Sequence, residues 1–239
     1  MKNDIELKSK KYNNDLFLTY GEEAKYIVEK NWKNHLKYFL EYFSSHIKKD
    51  NSKTTLLDVG CGAGLISKEL LKYGFKIYGV DFSSEAIKFA KIENPGIDFQ
   101  HSSIYELPFS NESFDIIICL GVFQTVADPD KAIAEMTRVL KKSGILIIRT
   151  LNTLFLLSFK GKKDNPDYIF YNPFDFKKMM EKEGLNVYSL KGIYSFLKRF
   201  NFLINFLVKT KLYKIFNFLF FPIFVFLSPG FYIEGRKNK

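Results

Sequence analysis

Cysteine is scarce in this chain of 239 residues, in which Cys61 and Cys119 are the two thiols. Each stands alone in an apolar run, so the pair lacks the spacing of a disulfide framework or a zinc site. We therefore expect no metal centre and a reducing, intracellular environment. Residues 1–17 are polar and lack the apolar run of a signal peptide, so we expect a cytoplasmic protein.

Histidine is almost as rare, with three residues, whereas Lys and Arg number 36 against 26 acidic residues. A net charge of +10 admits a nucleic acid, an anionic lipid or an acidic substrate as partner. The chain is also rich in Lys, Asn, Ile and Phe together, a compositional trend that names no partner. Charge alone therefore leaves the partner open.

Apolar side chains recur at intervals of three and four between residues 21 and 47, which predicts an amphipathic helix in an N-terminal cap over residues 1–52. The predicted apolar face consists of Ile27, Trp32, Leu36, Phe39, Leu40 and Phe43.

After this cap, short β-branched runs alternate with helical segments, which predicts a largely parallel, doubly wound α/β sheet with helices on both faces. The predicted strands are Thr55–Val59, Lys76–Val80, Ile97–Gln100, Phe114–Leu120, Ile145–Thr150, Leu185–Leu190 and Phe231–Gly235. The predicted helices are Leu65–Tyr73, Ser84–Glu93 and Pro129–Leu140, with another after Asn172. The predicted helix starts are marked by Ser83, Ser84 and Pro173. The predicted helix ends are marked by Gly74, Ser143-Gly144 and Gly184.

A strand that ends in Asp58 is followed by Gly60, Gly62 and Gly64 and then by a helix. Such a turn lets the backbone approach a ligand closely. Its spacing is one residue shorter than the G-x-G-x-x-G of dinucleotide sites, and Asp58 suits an ammonium group rather than a pyrophosphate. Asp81 ends the next strand, where a carboxylate can accept from both ribose hydroxyls. A ribose and an amino acid without phosphate describe S-adenosylmethionine.

Residues 53–150 resemble the class I S-adenosylmethionine-dependent methyltransferases. "LLDVGCGAG" is similar to their first motif, "YGVDFS" to their second, and the run from "LPFSNES" to "ILIIRT" to their third, fourth and fifth. The pattern is similar to that of the ubiquinone-biosynthesis-like, type 11 group. The resemblance implies a Rossmann-like, seven-stranded, mostly parallel sheet with an antiparallel last strand.

The resemblance also implies a role for each residue of the cofactor site. The turn of Gly60, Gly62 and Gly64 holds the methionine part, and Asp58 lies near its ammonium group. The remaining residues are Asp81 for the ribose, Phe82 against the adenine, Ser103 for its amino group, Ile104 beside the adenine, and Leu120 beside the methionine part. For Ile104 and Leu120, ordinary core packing is the alternative.

The catalytic residue is less well marked. Ubiquinone-type O-methyltransferases carry a Glu-His pair before "VPDP", whereas "FQTVADP" puts Gln124 and Thr125 there, and neither is a useful base. His35 on the cap is the first candidate, and Gln124 is the second. Further candidates by position are His46, His101, Tyr20, Asn152 and Tyr171.

Residues 196–229 form a Phe-rich insertion between the methyltransferase core at 53–195 and a last strand and basic tail at 230–239. No charge occurs in 215–233, but Pro222 interrupts this run, so we do not expect a membrane span. Lys198, Arg199, Lys209, Lys211 and Lys214 precede it. We expect a helical insertion that contacts either the cytoplasmic membrane surface or a lipophilic substrate; core or dimer burial is the alternative.

Together these patterns predict methyl transfer to a small lipophilic or membrane-linked acceptor, with O-methylation favoured. A nucleic-acid methyltransferase is a second hypothesis, favoured by net charge alone and weakened because the basic residues are scattered. A non-catalytic, cofactor-binding partner subunit is a third. The oligomeric state is not predicted.

Overall fold

Seven strands form one mixed sheet in the computed structural model, which describes residues 36–153, 168–192 and 230–239. The strands are β1 (Thr55–Val59), β2 (Lys76–Asp81), β3 (Asp98–His101), β4 (Phe114–Leu120), β5 (Leu140–Leu151), β6 (Leu185–Gly192) and β7 (Gly230–Lys237). Their order is β3-β2-β1-β4-β5-β7-β6. Pairs from β3 to β5 are parallel, and β7 is antiparallel to both neighbours. The predicted fold is confirmed.

In the part of the chain that the structure describes, α-helical segments connect or cover the strands. They are α1 (36–43), α2 (Leu65–Leu71), α3 (Ser84–Glu93), α4 (Pro129–Val139) and α5 (Pro173–Lys182). Ser83 caps α3 as predicted, because its side chain accepts a hydrogen bond from the Ala86 N–H. Pro173 opens α5 and Gly184, in the left-handed region, follows its end, so both predicted signals are confirmed.

The chain changes direction across the sheet between β1 and β4. From β1 the next strands, β2 and β3, add on one side, and from β4 they add on the other. In an open α/β sheet such a switch point leaves a crevice outside the carboxyl ends of the strands, where ligands bind. The ligand site is therefore expected just beyond Val59 and Leu120.

Two apolar cores lie on opposite faces of the sheet. One packs α4 and α5, through Met136 and Phe176, against the face that carries Ile117. The other packs α1 through Phe39 and Phe43, which are 1% and 0% exposed. The described part of the predicted apolar helix face is thus confirmed.

A buried carboxylate fastens α1 to the sheet. Glu234 of β7 is 4% exposed and accepts hydrogen bonds from Tyr42 of α1, at 2.9 Å, and from Tyr188 of β6. His46 lies beside it, with Nε2 3.1 Å from Glu234 Oε1. Tyr42 also stacks on Tyr232, with ring centroids 4.5 Å apart. The helix that enters the fold is therefore held by a polar contact as well as by apolar packing.

Ser143-Gly144 was predicted to end the helix that begins at Pro129, and this prediction is wrong. Helix α4 ends at Val139, and Leu140 is already extended and pairs with Phe114 at the start of β4. Ser143 and Gly144 belong to β5, near the point where its register against β4 shifts. Strand pairing outweighed the local stop signal because Leu140 is fully buried against the sheet.

Two predicted regions fall outside the described residues. These are most of the N-terminal cap, including His35 and Tyr20, and the Phe-rich insertion at 196–229. The proposed boundaries of the four chain regions stay predictions. Within the described ranges, the structure contains no helix whose length and apolar character would let it cross a membrane.

Candidate functional site

The glycine turn after β1 is tied to the neighbouring strand. The N–H groups of Gly60 and Cys61 both donate to the Val80 carbonyl of β2, at 2.7 and 3.0 Å. Gly60, Gly62 and Gly64 have φ of 76°, 52° and 77°. An L side chain is disfavoured in this left-handed region, so all three positions need glycine for their backbone shape.

The three glycines differ in what surrounds them. A Cβ atom on Gly60 would lie 2.2 Å from Val122 Cγ2, and one on Gly64 would lie 2.6 Å from Phe99 Cζ. A Cβ on Gly62 would meet no atom within 4 Å. Gly60 and Gly64 are therefore required by packing, whereas Gly62 leaves open space in which a ligand can approach the backbone.

Asp58 is a buried carboxylate behind this turn. It is 3% exposed, and Ser67 Oγ of α2 donates to its Oδ2 at 2.7 Å. Burial raises the pKa of Asp58 to about 7; the charge of Asp81 acts in the same direction, and the hydrogen bond from Ser67 opposes it. Among the described residues, no positive group counters this rise of the Asp58 pKa.

Asp81 closes β2 and holds the turn in place. Its Oδ2 accepts from the Gly62 N–H at 2.8 Å, and its Oδ1 accepts from the Ser83 N–H at 2.9 Å. Burial raises its pKa, while these backbone donors act in the opposite direction. A carboxylate has about four acceptor positions, so Asp81 can still accept from ligand hydroxyls.

A cleft of about 440 Å³, including its open mouth, lies at the carboxyl ends of β1 and β2, where the switch point predicts it. Asp81 is part of its wall, so this residue borders the space that a ligand in the cleft would occupy. The lining residues are Val59, Gly60, Val80, Asp81, Phe82, Ser102, Ser103, Ile104, Val122, Thr125 and Val126.

The site fits the cofactor that the sequence predicts. An ammonium group beside Asp58 favours the ionised carboxylate that burial disfavours. The open face of Gly62 leaves room for the amino-acid part, and Asp81 lines the cleft at the carboxyl ends of β1 and β2, where it can meet the ribose hydroxyls.

Comparison with known proteins decides the family. Residues 57–148 match the model of a methyltransferase domain. The ubiquinone biosynthesis O-methyltransferase of Rickettsia canadensis (strain McKiel) is 32% identical over 174 residues, an alignment that covers 66% of this chain and 73% of that protein. The chain belongs to the class I S-adenosylmethionine-dependent methyltransferases. Its cofactor is S-adenosyl-L-methionine.

Another relative agrees with this family, and solved structures share the fold. The protein of the same name from Coxiella burnetii (strain Dugway 5J108-111) is 32% identical over 157 residues, covering 58% of this chain and 66% of that one. An Aquifex aeolicus SAM-dependent methyltransferase shares the fold with a TM-score of 0.57 at 18% identity, covering 82% of this chain and 88% of that one. The fold is also shared by Haemonchus contortus phosphoethanolamine N-methyltransferase 2, in complex with S-adenosylhomocysteine. The TM-score is 0.67 at 17% identity, covering 95% of this chain and 60% of that one.

The structure of the methyltransferase brings most of the predicted cofactor residues together. Gly60, Asp81, Phe82, Ser103 and Ile104 line the cleft. The other four predicted residues are Leu120 and, from the turn described above, Asp58, Gly62 and Gly64.

Two predicted cofactor contacts have local partners in the structure. Leu120, 5% exposed, belongs to the core beneath α1, so packing accounts for its burial. The Ser103 hydroxyl accepts from the Tyr105 N–H at 3.2 Å, within its own loop. Contact of Leu120 with the methionine part and of Ser103 with the adenine amine stays a prediction.

The described histidines lie beside other groups. His46 is next to Glu234, and His101 Nε2 lies 3.0 Å from the Phe82 carbonyl oxygen at the end of β3. Neither lines the cleft. His35 lies outside the described residues and stays a predicted base.

Sequence reasoning missed the wall formed by the connection between β4 and α4. Val122 and Val126 line the cleft together with Thr125, and Val122 fills the space above Gly60. Valines in a connection carry no pattern that distinguishes a ligand wall from ordinary core. Val122 comes close to Gly60 only in the folded protein, so no signal in the sequence pointed to Val122.

Gln124 occupies the same connection, within a 3₁₀ turn over Phe123–Thr125. Its backbone carbonyl accepts from the Ile169 N–H at 2.8 Å, and Tyr171 donates to the Phe123 carbonyl at 3.1 Å. The Gln124 side-chain oxygen is buried, and within the described residues it accepts no hydrogen bond. A buried unpaired acceptor is costly, so this oxygen is a candidate to accept from a ligand donor.

Proposed function

We propose that this methyltransferase transfers a methyl group to an oxygen of a small lipophilic or membrane-linked acceptor. The observation that carries the proposal is the buried, unpaired side-chain oxygen of Gln124 beside a wall of the cofactor cleft. A hydroxyl group on the acceptor would donate the missing hydrogen bond. The relatives named as ubiquinone biosynthesis O-methyltransferases support an oxygen as the methylated atom.

Bound S-adenosylmethionine supplies an activated methyl group, so the protein must mainly position the acceptor and accept its proton. In this proposal Asp58 and Asp81 hold the cofactor, and Gln124 orients the acceptor hydroxyl by accepting its hydrogen bond. Methyl transfer would break the methyl–sulfur bond as the methyl–oxygen bond forms, S-adenosylhomocysteine would be the leaving group, and the hydroxyl proton would pass to a base. An amide oxygen is too weak a base for that role, which leaves His35 as its candidate.

The acceptor class is tested with methyl-labelled cofactor and three acceptor pools: isoprenoid-substituted phenols, phospholipids, and RNA with DNA. We expect label in the organic extract of the phenol pool. We expect Gln124→Ala to lower kcat/KM for that acceptor by about tenfold, the worth of a hydrogen bond in a buried site, while the S-adenosylhomocysteine Kd stays unchanged.

Gln100→Ala is the matched control, because it removes an amide that is engaged with Asp98 on the edge strand β3. It should leave kcat/KM unchanged. Label in nucleic acid, label in none of the pools, or equal activity of Gln124→Ala and the parent protein would each contradict the proposal.

We also propose that the Phe-rich insertion brings the enzyme to the cytoplasmic surface of the membrane. The support is sequence: Lys209, Lys211 and Lys214 directly precede the uncharged run 215–233. A basic residue near an anionic surface contributes about 1 kcal/mol to binding, so changing all three lysines to Gln should weaken binding about 100-fold. Co-sedimentation with phosphatidylglycerol-containing vesicles measures this.

A triple variant of equal charge provides the control. Lys88, Lys178 and Lys182 have exposed side chains on the described surface, and changing them to Gln should alter vesicle binding by less than about threefold. A parent protein that stays in the supernatant with these vesicles, or equal losses in both triple variants, would rule out membrane contact through the insertion.

A further inference from the structure

Two loops that are distant in the chain both line the cofactor cleft. Ser102, Ser103 and Ile104, which follow β3, form one wall. The connection between β4 and α4 forms another through Val122 and Thr125, together with Val126. The cleft keeps its shape only if these two loops keep their separation.

Tyr105 joins the two walls. It directly follows Ile104, and its hydroxyl oxygen accepts hydrogen bonds from the N–H groups of Ala127 and Asp128, at 3.0 and 3.1 Å. These two donors immediately precede α4, where backbone N–H groups lack helical partners. One side chain from the first loop therefore satisfies two consecutive backbone donors of the second.

The Tyr105 ring is itself held in place. It is half-buried and packs against the core beneath α4 and α5, and Lys131 Nζ of α4 lies 5.6 Å from its ring centroid. A ring that is held by core packing and by Lys131 loses little freedom when its hydroxyl bonds, so the hydroxyl acts as a rigid spacer.

The loop after Tyr105 has separate anchors. Glu135 of α4 accepts from the Leu107 N–H at 2.7 Å, and Arg138 donates to the Leu107 and Phe109 carbonyls at 3.1 and 2.9 Å. These contacts hold the loop body to the helix without reaching the wall. Loss of the Tyr105 hydroxyl should therefore loosen the cleft locally and leave the loop attached.

We propose that Tyr105 is a positioning residue for the cofactor, which keeps the cleft in its binding-competent width by linking its two walls. If the link is lost, the competent state becomes a smaller fraction of the population, and the apparent cofactor Kd rises in inverse proportion. The geometry of the bound complex is unchanged, so kcat at saturating cofactor is unchanged as well.

The test compares Tyr105→Phe with Tyr171→Phe. Both remove a hydroxyl that contacts the connection between β4 and α4, but Tyr171 bonds to the Phe123 carbonyl and does not line the cleft. We expect the S-adenosylhomocysteine Kd, measured by calorimetry, to rise roughly tenfold in Tyr105→Phe and to change less than twofold in Tyr171→Phe. The thermal midpoints of the two ligand-free variants are measured alongside.

Lys131→Ala separates the hydroxyl from the ring, because it removes the contact above the ring and leaves the two hydrogen bonds. Its Kd should stay within about twofold of the parent value. A Tyr105→Phe variant with parental Kd and a lowered thermal midpoint would overturn the proposal, since the link would then be structural only. A parental KM for the cofactor combined with a lowered kcat would overturn it as well.

Discussion

Cofactor binding is expected to tighten roughly 30-fold between pH 5.5 and pH 8, because the ammonium group selects the ionised form of Asp58. Burial raises the pKa of this carboxyl to about 7 in the ligand-free protein, so most molecules carry a neutral Asp58 at pH 5.5. A bound ammonium returns the pKa toward its ordinary value of about 4. Binding below pH 7 therefore releases a proton, and the association constant rises with pH until Asp58 is ionised beforehand.

Calorimetric titration with S-adenosylhomocysteine across this range, in buffers of different ionisation enthalpy, measures both the affinity and the released proton. Asp58→Asn should bind weakly at every pH and lose the proton release. Ser67→Ala removes the hydrogen bond that lowers the pKa of Asp58, so its profile should move to higher pH. His101→Ala checks that histidine titration is not the cause. An affinity independent of pH in the parent protein would refute this role of Asp58.

The same carboxyl affects folding with the opposite sign. A pKa raised in the folded state stabilises the ligand-free protein fully below about pH 4, and this contribution disappears as the pH rises through about 7. Saturating S-adenosylhomocysteine should therefore increase the thermal midpoint more at pH 8 than at pH 5.5.

The second large effect is expected from alanine at the glycines of the turn. Gly64→Ala should destabilise the protein by about 2–4 kcal/mol, because left-handed strain adds to an overlap with the buried Phe99 ring. Gly62→Ala meets no protein atom, so it should cost about 1 kcal/mol of stability. Its new methyl group would occupy the open space over Gly62, where we expect the amino-acid part of the cofactor, so the cofactor Kd should rise at least about tenfold.

Gly74→Ala is the matched control for Gly62→Ala. Gly74 has φ of +84° and likewise has no atom within 4 Å of its Cβ position, but it lies in the turn after α2. Chemical denaturation should show equal losses of stability for the two variants, and calorimetry should show lost affinity for Gly62→Ala alone. Equal affinity in both variants would show that Gly62 does not face the ligand.

The elements and the methyl donor could be predicted from the sequence because their signals are local. Periodicity of apolar residues gave the strands and helices, and the prediction failed at Ser143-Gly144, where pairing with β4 extended β5 back to Leu140. The order of Asp58, the glycines and Asp81 indicated an ammonium and a ribose, since residues at the ends of neighbouring parallel strands meet at one edge of a sheet.

The sequence by itself determined the fold class, the family and the cofactor, because each depends on residues close together in the chain or on a regular alternation of elements. Tertiary structure alone decided which glycine faces open space, that Val122 stands over Gly60, and that Tyr105 reaches the backbone before α4. These contacts join residues from separate loops. Their distances follow from how the strands and helices pack, and the local pattern of side chains carries no record of that packing.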